Sequence, residues 1–295
     1  MEPRQVRYGT KLRLGVVALV TALGCGGQPA ANPPPKPPTT AVAAWQGFPA
    51  DQVPRPVVLF WDLLPAGGGF ASNAAKTAGS CNKFVPGADL PSGAPGQAIA
   101  TWADGVSATY AAMSAADAVA ARSHPPPGVR SQDCTSVPAL VLNGARFSTT
   151  RFKTDRGTAT MSAWLFTSPT VDGDLAFPAL PLSAYWADGT SSPAQETATV
   201  GADGRVVKFK FWGAPSTSGP CGADYKSVVA ESVSAAAIAL WAIPHAASNG
   251  PGACPAIAEQ RTLTVTLASA LGARVLADSA GAAVAVCREA AGTGC

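Results

Sequence analysis

Residues 158–166, TATMSAWLF, change character at every step, with Ala159, Met161, Ala163 and Leu165 on one side. Thr160, Ser162, Trp164 and Phe166 fall on the other. A period of two marks a strand, because successive side chains point to opposite faces. Asp155-Arg156-Gly157 just before it reads as a turn, so Leu140 to Thr154 and this segment form a predicted hairpin. A second hairpin is predicted over Thr197 to Trp212, where Asp203-Gly204 separates two extended runs. Its second strand sends Val207, Phe209 and Phe211 inward and Lys208, Lys210 and Trp212 outward. Arg261 to Leu267 alternates strictly, with threonines outward, and Val275-Leu276 and Ala283 to Val286 complete the extended segments. Ser232 to Ile243 is rich in alanine, which favours helix, but its flanking strands assign it to a buried strand.

The N-terminal half carries a different pattern. Ile99, Trp102, Val106, Tyr110 and Met113 recur at spacings of three and four, predicting one amphipathic helix over Gln97 to Arg122. Pro125 to Pro127 end it. A short helix is expected over Ala71 to Ala78 and a strand within Pro56 to Pro65. The predicted fold class is a β-rich α+β protein. Residues 45–137 form an irregular and helical part, and residues 138–295 form an antiparallel sandwich or sheet.

Ahead of this lies a leader. Arg4, Arg7, Lys11 and Arg13 precede the charge-free run LGVVALVTAL, Leu14 to Leu23. That is the layout of a signal peptide, and the run is short of the ~20 residues a membrane span needs. Ala22-Leu23-Gly24-Cys25 then resembles the lipobox of bacterial lipoproteins, although the usual leucine three places before the cysteine is Ala22 here. The resemblance implies cleavage after residue 24 and a diacylglycerol on Cys25. Each buried CH₂ contributes about 0.8 kcal/mol, so two acyl chains anchor stably where one does not. Proline-rich residues 25–44 read as a semi-rigid tether. The membrane, reached through Cys25, is the first expected partner, and the outer face of the cell membrane is the expected location.

Charge changes the picture only by subtraction. The chain has 21 Lys+Arg and 18 Asp+Glu; removing four bases and one acid with the leader leaves 17 against 17. A neutral mature chain gives no electrostatic case for nucleic acid. Charged residues are 13% of the sequence, about half the usual share.

Seven cysteines remain to be placed, and Cys25 accounts for the odd one. Cys81, Cys134, Cys221, Cys254, Cys287 and Cys295 then make an even set suited to disulfides outside the cytoplasm. Six cysteines allow fifteen pairings; Cys221–Cys254, which bracket the Ser232 segment, are the first expected pair, and proximity in sequence adds Cys81–Cys134 and Cys287–Cys295. No Cys-x-x-Cys or Cys/His spacing points to a metal, and no cofactor motif occurs.

Catalytic signals are weak. Ala277 to Gly281, ADSAG, approaches a Gly-x-Ser-x-Gly elbow around Ser279, but the first glycine is missing and a strand follows. The chain has only two histidines, His124 and His245. Asp172 and Asp174 in VDGD read as a solvated turn. Tyr185, Trp186 and Trp212 lie near predicted loops and form a possible ligand platform for a sugar or peptide.

The segments TDRGTATMSAWLF, GPCGADY followed by AES, and RTLTVTLASALGARVLAD resemble those of uncharacterised lipoproteins from high-GC Gram-positive bacteria. The resemblance runs from Pro138 to Val286. It implies a related fold and a place in the cell envelope, and no particular chemistry. The expectation is therefore a lipid-anchored envelope protein that interacts or binds. A solute- or glycan-binding lipoprotein is the alternative, and an atypical serine hydrolase using Ser279 a distant one.

Substituting Cys25→Ala tests the anchor. The parent chain is expected in the detergent phase after partitioning and the variant in the aqueous phase. A variant that still enters the detergent phase would show that Cys25 carries no lipid.

Overall fold

The computed structural model describes residues 35–60, 68–87, 90–123, 134–186, 194–217, 221–245 and 257–288. The leader, Cys25, Cys254, Cys295 and His124 lie outside these residues.

Helix α1 (Thr39–Ala43) opens the folded unit inside the stretch expected to be tether, with Ala41 and Val42 buried. The tether reading is corrected at this point: an apolar segment follows the last proline, and Trp45 and Phe48 bury beside it. Residues 55–60 run extended between two cores. Val57 and Leu59 enter one cluster, while Val58 and Phe60 enter another. This segment forms single bridges at Val57 and Leu59 instead of the predicted strand. An apolar run without polar alternation is what burial on both sides requires.

Helix α2 (Asn73–Ser80) is capped by Ser72, whose side chain accepts the Ala75 amide. Strand β1 (Phe84–Pro86) follows it. The predicted helix over Gln97–Arg122 is not formed. That stretch holds β2 (Gln97–Trp102), β3 (Ser107–Ala111) and only then α3 (Ala115–Arg122). Asp104-Gly105 turns the chain, with Gly105 at φ +82° and the Val106 amide bonded to Asp104. The apparent helical stripe mixed two environments. Ala98, Ala100 and Trp102 face the core, whereas Ile99 and Val106 are exposed. Helix α3 starts later, where Ser114 accepts the Asp117 amide.

Strands β4 (Leu140–Thr154), β5 (Gly157–Ser168) and β6 (Val171–Pro178) form the predicted hairpin and its continuation. The first sheet runs β1-β4-β5-β2-β3, with β6 also on β5. Strand β5 pairs β4 along one edge and shares the other between β2 and β6. Its residues 161–166 are buried on both faces, so the alternation read from the sequence breaks where a second layer covers it. Strands from both sides of Pro138 build this sheet, so residues 45–137 and 138–295 share a core. VDGD, expected as a solvated turn, begins β6, and Asp174 pairs with Arg146 at 2.5 Å.

The remaining strands are β7 (Thr197–Val200), β8 (Val206–Gly213), β9 (Ala223–Glu231), β10 (Ala235–Pro244), β11 (Glu259–Thr266), β12 (Val275–Ala277) and β13 (Ala285–Arg288). They form two sheets, β12-β10-β9 and β11-β8-β7-β13. The sheets pack through Val207, Phe209, Ile238, Val265 and Leu276. The other face of β10 meets α1 and Trp45. Ala235 and Ala237 point one way and Ala236 and Ile238 the other, so the alanine-rich run is a strand covered on both faces. Small side chains allow both layers to approach closely. The sheets are mixed, not antiparallel throughout: β1 with β4, β10 with β12 and β7 with β13 are parallel.

A disulfide joins Cys81 to Cys134, with Cα atoms 5.6 Å apart. Cys221 and Cys287 are disulfide-bonded too; their expected partners, Cys254 and Cys295, are outside the described residues. Among the described residues no helix is long and apolar enough to cross a membrane.

The predicted facing of β8 holds. Phe209 is buried and Trp212 is 60% exposed. Phe209→Ala is expected to cost about 3–5 kcal/mol, and Trp212→Ala no more than about 0.5 kcal/mol. Urea unfolding of both variants measures this. Equal losses would contradict the facing.

Candidate functional site: an arginine-lined cavity

The turn between β4 and β5 gathers the backbone of three elements. Thr154 accepts the Arg156 amide and donates to the Gly157 carbonyl at 2.7 Å. Gly157 sits at φ +76°, and a Cβ there would lie 3.2 Å from Cys287 Sγ and 3.3 Å from the Val286 carbonyl. Only glycine suits both the conformation and the close approach. The Asp155 amide donates to Val58, and the Val286 amide donates to Asp155.

On this turn sits a buried ion pair. Arg55 Nη2 and Asp155 Oδ2 are 2.5 Å apart, with side chains 7% and 2% exposed. Arg55 Nε donates to Ala273, and its guanidinium lies 4.6 Å from the Phe48 ring centroid. The pair thereby fixes residues 271–274 against the turn.

Beside it opens a cavity of about 70 Å³. Arg55, Arg151, Arg156, Arg274 and Arg288 line it, against two acids, Asp104 and Asp155. Each arginine comes from a different segment. Arg274 is largely committed: it bonds Glu231 at 2.9 Å and the carbonyls of Ser232, Ser269 and Ala270. Burial would raise the Glu231 carboxyl, but the Ala268 amide, Arg274 and the Ser269 amide together hold it below its ordinary value. Arg288 donates to Gly272 and lies 3.8 Å from Asp104. Arg151 is exposed at the rim.

Arg156 is different. Its guanidinium lies 3.4 Å from the Trp102 ring centroid, a cation–π stack. Its Nε and Nη2 are buried and find no acceptor among the described residues, and neither does Asp155 Oδ1 a donor. Burial lowers the Arg156 pKa to about 10; Asp155 works against that fall and Arg55 adds to it. Burial also raises the Tyr110 hydroxyl, with Arg156 opposing. Because the Arg156 pKa lies below the ordinary arginine value, the cost of this buried cation is complete below about pH 10. It falls away as pH rises from there towards the ordinary arginine range. A cation held at a cost, beside a cavity rich in its own charge, fits an oxyanion ligand.

The residues singled out from the sequence fall elsewhere. Tyr185 packs on the first-sheet core, where burial raises its hydroxyl far above the ordinary tyrosine value. Trp186 packs in the second cluster, edge-on to Phe48 at 5.3 Å. Trp212 stands on an exposed face, so these three rings do not form one platform. Ser279 lies in a turn organised by Asp278, whose Oδ1 accepts the amides of Ala280 and Ala282. Gly281 there has φ +90°, and its carbonyl accepts the Trp45 indole N–H. His245 bonds the Thr217 carbonyl and lies 3.3 Å from Asp224. No hydrogen bond joins it to Ser279 among the described residues, and the same residues hold no metal-ligand cluster.

Replacing Arg156 with Met is expected to hold or raise stability at pH 7, because a poorly satisfied buried cation is exchanged for an apolar chain of similar length. Urea unfolding measures it. A loss of about 2 kcal/mol or more would show that the guanidinium serves the fold. Comparison with protein-family models, with curated proteins and with solved structures finds no match for this chain, so the cavity is read from its own residues.

Proposed function

We propose that the chain is a lipid-anchored binding protein of the cell envelope, whose cavity takes a small oxyanion or the anionic group of a larger solute. The anchor is the diacylglycerol on Cys25 and the location the outer face of the cell membrane. The supporting observation is that five arginines and two aspartates line about 70 Å³, with Arg156 and Arg151 outside the Arg55–Asp155 and Arg274–Glu231 pairs. A volume of that size suits a phosphate or carboxylate group rather than a whole sugar or peptide, so the rest of a larger ligand would stay outside.

Selection in such a site comes from charge and geometry. Arg156 supplies a positive charge on a guanidinium already held flat against Trp102, and that charge favours an oxyanion in the cavity beside it. The buried Arg55–Asp155 pair keeps the wall rigid, so little ordering is left to be done on binding. Asp104 and Asp155 disfavour a site crowded with several anions. The role is capture without turnover, since the polar groups in the wall serve the fold or the anion.

Titration calorimetry with inorganic phosphate and with malonate tests the reading on the full chain. Saturable binding of at least one of them is expected, and Arg156→Met is expected to abolish it. Binding should also raise the unfolding free energy by about 2.7 kcal/mol at a hundredfold excess over Kd. If neither anion binds, or Arg156→Met binds as the parent does, the reading is wrong.

A further inference from the structure

We propose that the free edge of β9 takes up a short extended peptide, which joins the β12-β10-β9 sheet as a further strand. The direction of the main-chain groups along β9 follows from its register. In an antiparallel pair, residues alternate between those that bond the partner strand and those whose N–H and C=O point away. The Ser232 amide donates to the Ala235 carbonyl, and the His245 amide to the Gly222 carbonyl. With the register between them, these bonds commit Asp224, Lys226, Val228 and Ala230 to β10. Tyr225, Ser227 and Val229 therefore turn their amides and carbonyls outward. No hydrogen bond to those outward groups occurs among the described residues. Ala223 has the same phase: its amide donates to Pro215 and its carbonyl accepts from Arg261.

The edge is open only in its middle. Pro215 and Arg261 close it at Ala223, and at the other end Glu231 is held by the Ala268 amide and Arg274. Between these ends the register is unbroken and contains no proline, so two devices that keep an edge from pairing are absent. Outward groups at this spacing are matched by another extended main chain, the mode of strand addition. The neighbouring side chains define what that chain carries. Tyr225 and Val229, with Leu263 of β11, lie half-buried on the core between the two sheets. Arg261 brings β11 alongside, standing 5.4 Å from the Tyr225 ring. Residues of an added strand that pair with Tyr225, Ser227 and Val229 point to the same face as these do. The peptide therefore needs apolar side chains at alternate positions, and those positions also make its main-chain bonds. A second copy of this chain fits less well. Pairing β9 with β9 antiparallel would carry the Ser232–Ser234 turn of one copy towards the Pro215 segment of the other.

Fluorescence anisotropy of labelled peptides with the full chain tests this. The probes are a peptide alternating valine and threonine, the same peptide N-methylated at its valines, and one of equal composition with its valines in one block. The first is expected to bind, and the other two about tenfold more weakly or not at all. Ser227→Pro removes an outward amide and leaves the bonds to β10 in place, so it should weaken binding about tenfold with an unchanged far-UV spectrum. Where that variant does not fold, the methylated peptide makes the same test without altering the chain. Arg156→Met should bind the peptide as the parent does, which separates this edge from the cavity. The proposal is overturned if the alternating peptide does not bind, if the methylated or block peptide binds equally, or if a folded Ser227→Pro binds as the parent. A parent that sediments as a dimer, and a Ser227→Pro variant that sediments as a monomer, would overturn it in favour of a second copy.

Discussion

One buried ion pair holds the two halves of this protein to a common geometry. Arg55 and Asp155 meet at 2.5 Å, nearly out of contact with water. Two desolvated charges repay their cost only when the geometry is good and the remaining donors are used. Arg55 meets that condition through the carbonyls of Ala273 and Pro56, while Asp155 Oδ1 has no donor among the described residues. Its position in the chain gives it leverage. The next residues, Val57 to Phe60, alternate between the first-sheet core and the core under α1. The pair therefore fixes the register of a segment that both cores share, and the loop around Ala273 with it. The cavity is the space left where those pieces meet.

The low charge content follows from the same architecture. Strand β10 is covered by α1 on one face and by the β8 sheet on the other, and β5 is covered on both faces through its middle. Strands buried on both faces have few positions for charge. The charges that remain lie on exposed strand faces, as Lys208 and Lys210 do on β8, and at turns, as Asp155 and Arg156 do. Arginines from turns and strands then converge at one place where the sheets meet, although residues 25–295 as a whole carry equal numbers of basic and acidic side chains.

What could be read from the sequence was local. The β4–β5 and β7–β8 hairpins were legible because alternation and a turn residue coincide, as in Thr197–Trp212 around Asp203-Gly204. The strand at Ser232–Ile243 was legible only through its neighbours, since alanine packed on both sides leaves no period. The stretch over Gln97–Arg122 was misread because five large apolar residues fell at helical spacing, while the buried alanines between them carried the true period of two. The glycine at 105 was the signal that argued for a turn. Site legibility was poorer. Arg55, Arg156 and Arg288 are distant in sequence and share no motif, so only the fold brings them together. One hint was present: Asp155-Arg156-Gly157 puts two opposite charges and a glycine at a tight turn in a chain that otherwise avoids charge. The exposed setting of Trp212 was readable from its strand. The burial of Tyr185 and Trp186 was not, because the layers that cover them come from residues far away.

The central claim is that the Arg55–Asp155 pair couples the shared segment to the turn, and a double-mutant cycle tests it most directly. Unfolding free energies of Arg55→Met, Asp155→Leu and the double variant are compared with the parent. Each single change strands a buried charge and is expected to cost about 3–5 kcal/mol. The double variant strands none, so its loss should fall short of the sum by about 2–3 kcal/mol, as for residues in direct contact. Losses that add to within about 0.5 kcal/mol would contradict the account, because they would show two independent side chains where the structure places one interaction.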